Sequence, residues 1–213
     1  DDDAYPEKDL IEKLLSCIAH TSSEIGAICS KVLDSDGNIE LDHRRYLHKG
    51  LLEISLNHVD KKEYLKDFFY CNVFSFVGTC ISVKAIKNIG FPHNDFFIWW
   101  DDAEYSLRLN KLFKIICYPS FVFIHEDNQN SKIVFWKLYY GERNYLVSLK
   151  ENFPKRYYYY EKFKLKLWYL KHLILRKPDA QIIHDSIKDG EKGLLGKNLK
   201  YGPWNPPFES DKK

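Results

Sequence analysis

No methionine occurs among the 213 residues, and the chain opens on Asp1-Asp2-Asp3 rather than on an initiator. The expectation is either a fragment of a longer protein or a sequence stripped of its methionines, in which case the spacings used below are compressed by a residue. Long apolar runs are also missing. Nothing approaches the roughly 18 residues of a membrane span, and the N-terminus lacks the basic-then-apolar order of a signal peptide. A metal-ligand or disulfide pattern is absent: the five cysteines, at 17, 29, 71, 80 and 117, are odd in number and form no CxxC, so they read as reduced core thiols of a cytoplasmic protein. A charge excess is lacking as well. With 32 basic against 30 acidic residues, net charge gives no reason to expect nucleic-acid binding.

What is present is apolar and aromatic. A content of 45% hydrophobic and 16% aromatic residues can fill a sizeable core, which excludes extensive disorder. Between Pro6 and His20, Leu10, Ile11, Leu14, Leu15 and Ile18 recur at helical spacing. Residues 24–33 and a short apolar stretch at Ile39 and Leu41 flank the turn sequence Asp34-Ser35-Asp36-Gly37-Asn38, predicting strand, turn, strand. Residues 42–67, which include His43, Arg44, Arg45, Tyr46 and His48, show no period and read as a loop with short structured pieces. Residues 70–83 read as one buried strand in which Gly78 marks a close backbone approach. A short helix follows over 83–89, capped by Gly90. Asp101 and Asp102 lead into a helix over 103–111, and an apolar strand pair over 115–124, broken at Pro119, places His125 at a strand end. Beyond residue 130 long helical stretches rich in Tyr, Trp, Lys and Arg take over, so the expected units are 1–130 and 131–213.

Three features could carry chemistry. An Asp-rich loop can hold a hard divalent cation through carboxylate oxygens, or be a solvated cap. The run Trp99-Trp100-Asp101-Asp102-Ala103-Glu104 joins an aromatic platform, of the kind that stacks on sugar faces, to a candidate general base, or is a helix cap with two buried aromatics. His125 is either a neutral imidazole ligand or a polar strand end.

Their order along the chain resembles a known family. The stretches DDDAYP (1–6), FVGTCIS (76–82), FFIWWDDAEYSLRL (96–109) and FVFIHED (121–127) are similar to family-2 glycosyltransferases of the GT-A fold, above all the galactofuranosyltransferase-like subgroup, over roughly residues 1–145. The resemblance implies an α/β fold: the C-terminal half of a Rossmann-like, mixed-sheet GT-A domain, followed by a helical C-terminal region. It implies a divalent metal, Mn2+ or Mg2+, held by Asp1, Asp3 and His125. It makes Asp102 the catalytic base, with Asp101, Trp99, Trp100 and Glu104 binding the acceptor. The implied reaction is inverting transfer of a sugar, galactofuranose before rhamnose, from a UDP-sugar to a glycan or lipid-linked glycan. The family's nucleotide-binding half would precede Asp1, adding on the order of 60 residues at two βαβ units; without it, weak donor binding is expected. A non-catalytic carbohydrate-binding remnant is the competing reading.

Residues 155–177 alternate basic, aromatic and aliphatic side chains. They suit either a helix lying peripherally on the inner face of an anionic membrane or a helix packed on the protein with its basic face in water. The Gly- and Lys-rich stretch 190–202 receives no catalytic role.

Overall fold

The computed structural model describes residues 3–20, 22–126 and 135–205. Asp1, the last residue of the 121–127 motif, and the point near 130 where the sequence changes character lie outside these. The chain is α/β with a mixed sheet, and it divides into two compact units: Asp1–His48, Ser55–Phe91 and Tyr105–Gln129 form the first, and Lys49–Ile54, Pro92–Glu104 and Asn130–Lys213 the second.

In the first unit, β1 (Ala4–Pro6), α1 (Leu10–His20) and β2 (Ile25–Leu33) come first. Then follow β3 (Arg44–Lys49), β4 (Ile54–His58), β5 (Phe69–Cys71), β6 (Val73–Phe74), β7 (Thr79–Ile81), α2 (Val83–Ile89), α3 (Asp101–Leu109), of which residues 101–104 count with the second unit, and β8 (Lys114–His125). The apolar stretches of β2 and β8 pair in parallel, and β7 closes the free edge of β2 in antiparallel sense. Two short strands share the other edge of β8: β5 takes Ile115–Cys117 and β1 takes Phe123–His125. A second sheet runs β4-β3-β6. The core between sheet and helices is built from Ala27, Cys29, Phe69, Phe74, Tyr105, Leu109, Ile115 and Cys117.

Several expectations change. The first helix begins at Leu10, because Pro6 belongs to β1, and Ile11, Leu15 and Ile18 remain exposed. The stretch 42–67 is more regular than a loop with short structured pieces: it supplies β3, β4 and a 3-10 turn at Lys61–Leu65. Its basic cluster hides a core residue. The fully buried Arg44 guanidinium donates to the carbonyls of Ser30, His43 and Val77 at 2.7–2.9 Å, which replaces the water a buried cation loses. Residues 70–83 form three short strands in two sheets rather than one. By contrast, 114–125 is one strand. Pro119 interrupts nothing because the register of β2 jumps from Tyr118 to Val122 there, so no ladder hydrogen bond to β2 is demanded of it. Gly78 behaves as expected: its φ is +60°, and a Cβ there would lie 3.0 Å from the Phe123 Cβ. Of the five thiols, Cys29, Cys71 and Cys117 are buried, whereas Cys80 is exposed and Cys17 half-buried.

The second unit is built on α4 (Phe135–Asn152), α5 (Lys155–Ile174) and α6 (Ala180–Lys192). Tyr139, Tyr140, Ile182 and Tyr201 form its apolar centre. The stretch 190–202 is structural, since Tyr140 donates to the Tyr201 carbonyl and Asn198 donates to the Tyr139 hydroxyl. Among the described residues no helix is long and apolar enough to cross a membrane.

Candidate metal centre and aromatic platform

The first candidate site forms where the parallel strands β2 and β8 end together, with Leu33 opposite Ile124; the carboxyl ends of parallel strands are where open α/β sheets leave room for ligands. Local sequence brings each member there. At the end of β8, His125 pairs with Ala4 of β1, and the ladder continues as the Glu126 amide donates to the Asp3 carbonyl at 2.7 Å. Asp3 and His125, far apart in sequence, thus become neighbours, with Asp3 Oδ2 3.8 Å from His125 Nε2. The turn after β2 delivers a third member. Asp34 Oδ1 accepts from the amides of Asp36 and Asn38, Gly37 takes φ +81°, and the chain returns so that the Glu40 amide donates to the Val32 carbonyl. Glu40 Oε2 then lies 2.8 Å from His125 Nδ1 and 2.7 Å from His43 Nε2.

The arrangement suits a cation. The Asp3 Oδ1 atom is buried and has no hydrogen-bond partner among the described residues, a costly state for a carboxylate oxygen unless a cation or water meets it. The 3.8 Å between Asp3 and His125 is too long for a hydrogen bond. It is short enough for both atoms to share one ion at metal–ligand distances of about 2.0–2.6 Å. Carboxylate oxygen favours hard cations and imidazole favours the later first-row metals, so a mixed set fits Mn2+ at least as well as Mg2+. His43 is held neutral: burial first, then the Arg44 charge, bring its pKa down to about 4 against the opposing pull of Glu40. Of the expected ligands, Asp3 and His125 therefore meet; Asp1 lies outside the described residues. Glu40 and His43 were missed. The only sequence trace of them is the Glu-x-x-His spacing, which straddled the short stretch at Ile39 and Leu41 read as a strand and the aperiodic stretch from 42 onward.

In the second unit the residues 96–104 form a clamped, strained segment. Phe97, Trp99 and Trp100 all have φ between +61° and +70°, where a bulky side chain costs on the order of 1–3 kcal/mol each. Two buried polar residues of α4 hold them there. Asn144 Nδ2 lies 2.9–3.0 Å from the carbonyls of Phe96, Ile98 and Trp99, and Arg143 donates to the Phe96 and Gly196 carbonyls. Trp99 is exposed and packs its ring on Gly141, where a Cβ would come within 2.8 Å. Trp100 stacks on Tyr145 with centroids 4.5 Å apart and planes 16° from parallel. Asp101 and Asp102 open α3, and their half-buried carboxylates suit the positive end of its dipole; Asp102 Oδ1 accepts from the Ala103 amide. Glu104 is fully buried and accepts from Asn152 at 3.1 Å, so its carboxylate is turned to the interior rather than toward a solvent-borne acceptor.

A cleft of about 420 Å³ lined by Ile18, Ser23, Ala27, Cys80 and Ser82 contains none of these side chains. In α5, Tyr157, Tyr158, Glu161 and Leu165 are buried, while Tyr159, Phe163, Leu167, Leu170 and Ile174 are exposed at spacings of four, four, three and four. Compared with known proteins, the chain matches no family model and no curated sequence.

Proposed function

We propose that the chain is the acceptor-binding and catalytic half of an inverting, metal-dependent glycosyltransferase of the GT-A type, resembling family 2, with a UDP-sugar donor and a glycan or lipid-linked acceptor. Galactofuranose is the favoured sugar and rhamnose the alternative. The observation that carries the reading is the convergence of Asp3 Oδ2 and His125, drawn from opposite ends of the motif pattern, with the second Asp3 oxygen buried and without a hydrogen-bond partner among the described residues. A bound Mn2+ or Mg2+ would neutralise the charge that develops on the departing diphosphate.

The remaining chemistry belongs to side chains. Asp102 accepts the proton of the acceptor hydroxyl as its oxygen bonds to the anomeric carbon. The bond from that carbon to the diphosphate oxygen breaks, its electron pair leaves with the nucleoside diphosphate, and configuration inverts. Trp99 offers an exposed ring to a sugar face, and Trp100 is fixed by its stack on Tyr145. Asp101 supplies hydrogen-bond acceptors beside the base.

The exposed face of α5 extends the reading to peripheral membrane contact. Its apolar stripe is flanked by Lys155 and Lys171 and by Lys164 and Lys166, which pair with Glu161 and Glu191, and the only acid in the helix, Glu161, is buried. Such a face matches an anionic lipid surface better than a second copy of itself, which would bring like charges together.

The test is calorimetric titration of Mn2+, then of UDP with and without Mn2+, into this chain and its Asp3→Ala and Asp102→Asn variants, alongside transfer from UDP-galactofuranose. Asp3→Ala is expected to weaken Mn2+ binding at least tenfold. Asp102→Asn is expected to bind Mn2+ as before and to lose transfer. Absence of any Mn2+ binding to the parent chain would favour the carbohydrate-binding remnant.

A further inference from the structure

A hydroxyl, an imidazole and a carboxylate outside the expected ligand set form one continuous chain of short contacts that ends on His125. Ser75 Oγ lies 2.6 Å from His43 Nδ1, His43 Nε2 lies 2.7 Å from Glu40 Oε2, and that same oxygen lies 2.8 Å from His125 Nδ1. Hydrogen counting fixes the directions. An ionised carboxylate only accepts, so both nitrogens facing Glu40 carry hydrogens: His43 is protonated on Nε2 and His125 on Nδ1. The Ser75 hydroxyl then donates to His43 Nδ1. In a neutral His125 ring the one remaining lone pair is on Nε2, the nitrogen 3.8 Å from the Asp3 carboxylate. Glu40 and His43 are themselves pinned, since the Glu40 amide donates to the Val32 carbonyl and the Ser75 amide to the His43 carbonyl.

We infer that Glu40, steadied by His43 and Ser75, is a positioning residue that locks His125 in the Nδ1–H tautomer and aims its Nε2 lone pair at a divalent cation shared with Asp3. This rests on the metal centre proposed above. Two alternatives place Glu40 differently. If it were itself a ligand, through either carboxylate oxygen, its removal would cost as much Mn2+ affinity as removal of His125. If it were merely structural, the tautomer of His125 would be indifferent to it. Carboxylates behind ligating imidazoles typically change metal affinity by about 10–100-fold when removed.

The experiment combines two readouts on the folded chain. Nitrogen-15 NMR of the metal-free protein at mildly alkaline pH reports which ring nitrogen of His125 carries the hydrogen. Titration with MnCl2 reports affinity for the parent, Glu40→Gln and His125→Ala. The expected result is an Nδ1–H form for His125 in the parent, a shift toward the Nε2–H form in Glu40→Gln, and a roughly 10–100-fold loss of Mn2+ affinity that stays smaller than the loss in His125→Ala. An Nε2–H form in the parent overturns the inference without any variant, so a Glu40→Gln protein that fails to fold does not rescue it. A loss in Glu40→Gln as complete as in His125→Ala would make Glu40 a ligand and overturn it too. If His125→Ala weakens Mn2+ binding and Glu40→Gln does not, only the role of Glu40 fails. Unchanged Mn2+ affinity in His125→Ala would instead remove the metal centre itself.

Discussion

Replacing Glu142 by glutamine should stabilise the protein, and only at the pH values where the carboxylate would be charged. Glu142 lies on α4 among buried neighbours. Burial first, and the nearby Glu161 carboxylate second, push its pKa from 4.5 up to about 7, with Lys164 pulling weakly the other way. The sign follows from proton linkage. Because the folded state holds the proton more tightly than the unfolded chain, folding stability falls as pH rises from about 4.5 to about 7 and then levels off. At about 1.4 kcal/mol per pH unit, the ionised side chain costs the folded state on the order of 3 kcal/mol at pH 8, a ceiling that local relaxation and water entry will lower.

Glutamine keeps the shape and removes the charge. The gain should therefore be about 1–3 kcal/mol at pH 8 and near zero at pH 4.5. Urea denaturation at both pH values, followed by tryptophan fluorescence and extrapolated to water, measures it. A gain of equal size at the two pH values would point to a packing effect of the amide, and no gain at pH 8 would falsify the argument that Glu142 is desolvated.

Other outcomes follow from particular contacts. Arg44→Lys keeps the charge but cannot fork to the Ser30, His43 and Val77 carbonyls, so urea denaturation should show a loss of about 2–4 kcal/mol; a loss below about 0.5 kcal/mol would mean that water reaches the site. Asn144→Ala removes the donor to three carbonyls of the strained segment; a loss of about 2–3 kcal/mol and red-shifted tryptophan emission are expected, and emission like that of the parent would show that the segment holds itself. Leu167→Glu combined with Leu170→Glu on the exposed face of α5 should abolish sedimentation with phosphatidylglycerol vesicles without changing Mn2+ affinity. Equal sedimentation of the parent with neutral phosphatidylcholine vesicles would remove the charge from that account.

How much of this was legible in the sequence depends on whether a residue's role is set by near or distant neighbours. The strand β2 and the capped helix α2 were readable because apolar runs and Gly90 act locally, whereas β8, equally apolar, read as a strand pair because only its pairing with β2 shows that Pro119 breaks nothing. The mixed sheet gave no such cue, since β1 and β5 find β8 only in space. Arg44 shows why polarity misleads: a cluster of basic residues reads as surface, yet one of them is fully buried and forked onto three backbone carbonyls that carry no signature of their own. The candidate metal centre divides along the same line. Asp3 and His125 stood out through their motifs, whereas Glu40 and His43 acquire meaning only when the Asp34 turn folds Glu40 back beside the end of β8. A carboxylate that orients a ligand needs no fixed spacing from it in sequence. It needs only to stand behind the ring, and the tautomer of His125 is the measurable trace of whether it does.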